Sequence, residues 1–276
     1  MPSITATGVA TEGKALRVAS AGHAFFAATL IALGVMGFAA RDFAPIWPPV
    51  PDGLPGRAAL VVLCALVPLL GGLGSLFRRP GAAASRALFG CFLAWLLFLR
   101  VPGMAVSFTV DRWWAACQTA AMTAAAWLLF ARLSEEERLF RLAAGAKGVR
   151  VARILYGLAL IPFGLAHFLY RQPTIDDVPA WMPAHAAWAY ATGVTFIAAG
   201  MAIVAGVWAP LAAVLSALQM GLFTLLVWVP VVAAGPNPSQ WAEFVVSWAL
   251  TASGWVVADS YRGQPWSGRP GLARSG

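Results

Sequence analysis

Eight apolar runs, at roughly 20–40, 58–77, 87–109, 113–131, 154–170, 186–207, 210–234 and 241–258, leave this chain few ways to fold. Each is long enough to cross about 30 Å of hydrocarbon at 1.5 Å per residue. A backbone in lipid has no water to satisfy its amides, so such runs must close their hydrogen bonds internally as helices. The expected fold is an all-α integral membrane bundle of eight transmembrane helices. Composition agrees: 60% of residues are hydrophobic and 11% charged, too apolar a balance for a water-soluble domain of 276 residues.

The runs repeat in sets of four. At an offset of 128, Gly72 pairs with Gly200, Val101-Pro102 with Val229-Pro230 and Trp113 with Trp241. Upstream, Gly34 to Arg41 (GVMGFAAR) answers Gly164 to Arg171 (GLAHFLYR) at 130, and Trp47-Pro48-Pro49 answers Trp181-Met182-Pro183 at 134. The offset changes only in expected loops, where insertions are tolerated. The chain therefore reads as an internal duplication. A tail at 1–17 precedes a first four-helix unit at 18–132; a linker at 133–150 leads to a second unit at 151–259 and a tail at 260–276. In the linker, Ser134 followed by Glu135, Glu136 and Glu137 predicts the start of an amphipathic surface helix, with Gly145 or Gly148 as its stop.

Orientation follows from the basic residues. With the N-terminus inside, fourteen of the nineteen Lys and Arg fall on inner segments, leaving Arg41, Arg57, Arg100, Arg112 and Arg171 outside. Positive segments stay cytoplasmic, which puts both termini there. Four spans per unit return each half to the same side, so the two repeats are expected to be parallel. The net charge of +8 is then topology; no aromatic-basic motif accompanies it, which argues against nucleic acid as a partner. Arginine outnumbers lysine 17 to 2 and alanine is abundant, which points to a GC-rich, bacterial genome. The basic start before 20–40 has the form of a secretory leader, but that run aligns with 154–170 and is expected to be a retained span. Cys64, Cys91 and Cys117 fall within spans with no metal-ligand spacing and read as packing residues. Trp47, Trp113, Trp114, Trp181, Trp188, Trp228 and Trp241 are expected as anchors at the outer interface.

Ionisable side chains at depth are costly in a membrane and mark candidate sites. His167 ends the fifth run, Glu243 begins the eighth, and His185 precedes the sixth; Asp176 and Asp177 occupy the loop before Trp181. All are expected on the outer side of the second unit, and the first unit has Gly37 and Ala115 in place of His167 and Glu243. A histidine near a carboxylate can move protons near neutral pH or orient a quinone-like ring. The candidate is an outward pocket of His167, Glu243, His185 and Trp181. The alternative is a solvated interfacial histidine and a carboxylate favoured by its helix N-terminus. Gln219, near mid-bilayer, is expected to bond a neighbouring helix or touch a ligand. His23 has no partner in its own stretch of sequence and reads as interfacial. No nucleotide loop, zinc-protease, nucleophile-elbow or bis-histidine heme pattern occurs, so no metal is expected and catalysis is unassigned.

The second unit resembles the DoxX-like family of four-helix membrane proteins. The residues that carry the resemblance are Arg153 to Phe168 (RILYGLALIPFGLAHF), Val178 to Pro183 (VPAWMP), Ala191 to Val204 and Leu222 to Pro230. It covers about 150–258, with a degenerate copy at 20–131, and Pro236-Asn237-Pro238 departs from the family's usual Pro-x-Asn ending. The resemblance implies an accessory component of a membrane redox system, handling a quinone or small apolar molecule beside a redox partner protein. It transfers no catalytic residue. A small-solute transporter built from parallel repeats is the competing expectation, weakened by the lack of mid-membrane charge.

Overall fold

In the computed structural model the described residues are 18–51, 53–107, 109–134 and 141–267. The tail at 1–17, the linker residues 135–140 and the tail beyond 267 lie outside them. Among the described residues regular structure is helical, and eight helices are long and apolar enough to cross a bilayer: Ala21–Ala40, Arg57–Ser75, Gly81–Val106, Val110–Leu133, Ala146–Leu169, His185–Ala205, Ala209–Ala233 and Pro238–Ser260. We number them spans 1 to 8. The chain has the form of a multi-pass membrane protein.

Local chemistry sets the helix ends. Ser20 starts span 1 by accepting the His23 amide at 3.1 Å. Asn237 and Gln240 form a reciprocal capping box at span 8, with Pro238 in the first turn where its missing amide costs nothing. Ser134, expected to open a linker helix, instead ends span 4; its amide still reaches the Phe130 carbonyl at 3.0 Å. Gly145 does end a short helix, Arg141–Ala144, but it also begins span 5, which starts at Ala146 rather than near 154.

Spans 3 and 7 each contain one turn of π-helix, Leu96–Arg100 and Thr224–Trp228, immediately before Val101-Pro102 and Val229-Pro230. The physical cause is shared. A proline ring lacks an amide hydrogen and crowds the carbonyl four residues back, and a wider turn relieves both problems without breaking the helix. The two π-turns are 128 residues apart, the offset of the glycine and Val-Pro pairs.

Span packing follows one pattern in both halves. Spans 1, 2, 3 and 4 pack in succession, as do spans 5, 6, 7 and 8; span 4 meets span 5, span 8 meets span 1, and spans 4 and 8 touch. Spans 4 and 8 are the most enclosed, with 78% and 61% of their apolar windows buried against 28–44% elsewhere. Close approach of spans 5 and 6 depends on glycine. A Cβ on Gly164 would sit 2.4 Å from the Gly193 carbonyl oxygen, and one on Gly200 would sit 2.6 Å from that of Gly157. In spans 1 and 2 the corresponding contacts join Gly34 to the Ala65 carbonyl and Gly72 to the Ala27 carbonyl.

The face that carries the start of span 1 and the ends of spans 2, 4 and 8 holds a polar cluster. His23 is fully buried, which corrects its interfacial reading. The Ala19 amide donates to Nδ1 at 3.1 Å, so Nε2 carries the proton and donates to Ser75 Oγ at 3.2 Å; Ser75 in turn donates to the Gly72 carbonyl. Asp259 accepts the Gly22 amide at 2.8 Å and pairs with Arg262 at 2.9 Å. Arg132 donates to the Asp259 carbonyl, and Arg153 bonds Ser260 and lies over the Tyr261 ring at 3.8 Å.

Candidate functional site

Spans 6 and 7 are joined by a tight hairpin through Gly206 and Trp208, both left-handed, which forces them to run side by side. Their mismatch in side-chain size leaves a gap. Span 6 presents Ala191, Thr195, Ala198 and Ala202, and span 7 presents Leu211, Leu215, Leu218 and Leu222. Between them runs a groove of about 690 Å³, closed at one end by Trp208 and at the other by Val178, Pro179 and Met182 of the preceding loop. That volume suits a small-molecule site. Several of its leucines are exposed along the outside of the bundle, so the groove opens sideways rather than toward the protein interior.

Its polar centre is Gln219. The Thr195 hydroxyl lies 2.6 Å from Gln219 Oε1, and Nε2 donates to the Thr192 carbonyl at 3.0 Å. The carbonyl fixes which end of the amide is nitrogen. Gln219 therefore makes the expected interhelical bond and also lines the groove.

Of the five expected site residues, only Gln219 borders this groove. His167 lies behind span 6, buried with its ring 5.6 Å from Phe196 and its Cβ against Gly193. Its Nδ1 bonds the Phe163 carbonyl at 2.7 Å, so that nitrogen carries a proton and the neutral ring offers Nε2 as an acceptor. Glu243 is exposed on span 8, within electrostatic reach of Asp177. His185 is the first residue of span 6, and Trp181 is 72% exposed in the loop. Among the described residues no group of histidine, cysteine and carboxylate is placed to hold a metal ion.

Burial, with the like charge of Asp176 second, pushes the Asp177 carboxyl up to about 6. A folded-state value above the unfolded one means that the folded protein holds this proton more tightly. Stability therefore falls as pH rises from about 4 to about 6 and is recovered on acidification. Asp177→Asn is expected to flatten that part of the melting-temperature profile in detergent. An unchanged slope would assign the titration elsewhere.

The loop after span 1 is held against the bundle by Arg100 of span 3. Arg100 is 5% exposed, although it was expected in an outer segment. Its guanidinium donates to Thr119 Oγ1 at 3.1 Å and to the carbonyls of Trp47, Pro48 and Pro49 at 2.8, 2.9 and 3.0 Å. Trp47, expected as an interfacial anchor, is instead 1% exposed, stacked on Phe92 at 5.2 Å and edge-on to Trp95 at 4.8 Å. At the offset of 128, Arg100 corresponds to Trp228, which cannot gather loop carbonyls, and the loop tryptophan Trp181 stays outside. The signal available in sequence was this exchange of arginine for tryptophan beside a shared Val-Pro.

Set against known proteins, the chain matches no family model, no curated protein and no solved structure.

Proposed function

We propose that the chain is a DoxX-like accessory protein of a bacterial inner membrane, made of two parallel four-helix units with both termini in the cytoplasm. Its second unit holds a quinone or another small lipophilic molecule and serves a redox partner rather than catalysing alone. The duplication draws support from the π-turns 128 residues apart and from the matching packing of spans 1–4 and 5–8. The family assignment rests on the sequence resemblance described above.

The observation that carries the binding role is the lipid-facing groove between spans 6 and 7. It is apolar along its length, has one polar centre, and occurs in the unit whose loop tryptophan is not packed inside. The expected position of the ligand accordingly moves from the surroundings of His167 to the groove beside Gln219.

Ala198 lines the groove and is exposed, so Ala198→Trp fills the space without disturbing buried packing. Mass spectrometry of lipids retained in mild detergent is expected to find a lipophile enriched over bulk phospholipid in the wild type and depleted at least tenfold in this variant. Identical lipid profiles in the two proteins would refute the binding role.

A further inference from the structure

The dimensions and hydrogen-bonding capacity of the groove narrow its occupant. Span 7 lines it from Trp208 to Val227, a rise of about 29 Å at 1.5 Å per residue. Spread over that height, 690 Å³ makes a long, narrow, laterally open slot, a shape that suits an extended hydrocarbon chain.

The hydroxyls on its walls already donate within the protein. Thr174 bonds the Tyr170 carbonyl, Thr192 bonds Trp188 and Ala189, and Ser216 bonds Ala213. Thr195 has Gln219 and the carbonyls of Ala191 and Thr192 as acceptors. Gln219 Nε2 carries two hydrogens, and the Thr192 carbonyl takes one. The remaining hydrogen is the spare donor at mid-height; the indoles of Trp188 and Trp208 lie toward the two ends, within reach of water and headgroups. Gln219 stands about 16 Å along the helix from Trp208 and about 12 Å from Val227. An unpaired donor facing hydrocarbon is costly, so a ligand that supplies an acceptor there is favoured over one that does not.

We infer that the groove selects a single-chain lipophile bearing a carbonyl partway along its length, which enters sideways from the bilayer and accepts a hydrogen bond from Gln219 Nε2. A polyprenylated quinone carries its carbonyls on a terminal ring and meets this requirement only with that ring at mid-height and its tail filling one half of the groove. A resident phospholipid does not, because its ester carbonyls lie near the headgroups rather than at mid-height. The inference rests on the binding role proposed above and adds the chemistry of the ligand.

The test is competition in phosphatidylcholine nanodiscs against a pyrene-labelled acyl chain, using a long-chain ketone with a mid-chain carbonyl and the alkane of equal length. One net hydrogen bond of about 1–1.5 kcal/mol predicts that the ketone competes about 5- to 10-fold better in the wild type. Gln219→Leu, and Gln219→Met as a second variant, are expected to equalise the two competitors while keeping the alkane's affinity. If ketone and alkane compete equally in the wild type, or the preference survives both variants, the carbonyl inference fails while the groove remains a binding site. If the labelled chain does not bind the wild type, or binds Ala198→Trp equally well, the binding role itself fails.

Discussion

Arg100→Leu is expected to release the 42–51 loop from the first unit and to destabilise the protein by about 3–5 kcal/mol, since it strips partners from several buried polar groups at once. The guanidinium serves a threonine hydroxyl and three consecutive carbonyls; Thr119 and the Trp47 carbonyl are buried, while Pro48 and Pro49 lie at the exposed edge of the loop. Either Thr119 and the Trp47 carbonyl stay buried without the guanidinium, or the loop swings out and Trp47 loses its burial on Phe92. Both outcomes are expensive. Arg100→Lys keeps the charge but replaces a planar fork of five donors with a compact ammonium, so it is expected to recover only part of the loss. Thermal melting in detergent measures the stability, and trypsin cleavage at Arg41 and Arg57, which bracket the loop, reports its release. A variant that melts like the wild type and resists cleavage would show that Trp47 packing alone holds the loop.

The second large effect is expected at the glycine seam. Gly→Ala within a helix ordinarily stabilises it by roughly 0.5–1 kcal/mol, because alanine loses less backbone entropy on ordering. At Gly164 and Gly200 the sign should reverse. The new methyl would meet a backbone carbonyl at 2.4 and 2.6 Å respectively, and a backbone atom cannot rotate aside as a side chain can. Spans 5 and 6 must then separate along their length, and the cost is about 2–4 kcal/mol for each substitution. Gly90→Ala is the matched control. It too is helical, but its Cβ would meet nothing within 4 Å, so it should be neutral or slightly stabilising. Melting temperatures of the three variants decide the matter; equal shifts at all three would remove close backbone approach as the explanation.

The eight spans were legible because lipid demands long apolar runs, a constraint strong enough to place each helix within a few residues except at the starts of spans 3 and 5, which begin at Gly81 and Ala146 rather than near 87 and 154. The Val-Pro pairs, legible as matched positions 128 residues apart, each follow a π-turn. What escaped the sequence depends on partners far along the chain. His23 read as interfacial because its acceptor, Ser75, is 52 residues away. Arg100 read as an outer-segment charge because an arginine beside a proline near a span end looks solvated, and only the folded loop supplies carbonyls to bury it. The groove was hidden for a different reason: it depends on how spans 6 and 7 are rotated, which decides that Gln219 faces it, while His167 on span 5 packs against the other side of span 6. Hydropathy records depth but says little about rotation. Of the expected site residues, the one recovered in the groove was the polar side chain at mid-span, where an unpaired amide is least affordable.

The enclosed position of spans 4 and 8 bears on how the protein is made. They have the lowest mean hydropathy of the eight, because alanine, serine and threonine suffice where neighbours rather than lipid cover the helix. During synthesis span 4 emerges before spans 5 and 8 exist to cover it, and it partitions into bare lipid less readily than its neighbours do. Its membrane insertion therefore leans on span 3, the earlier span that packs against it, and becomes secure only when spans 5 and 8 arrive.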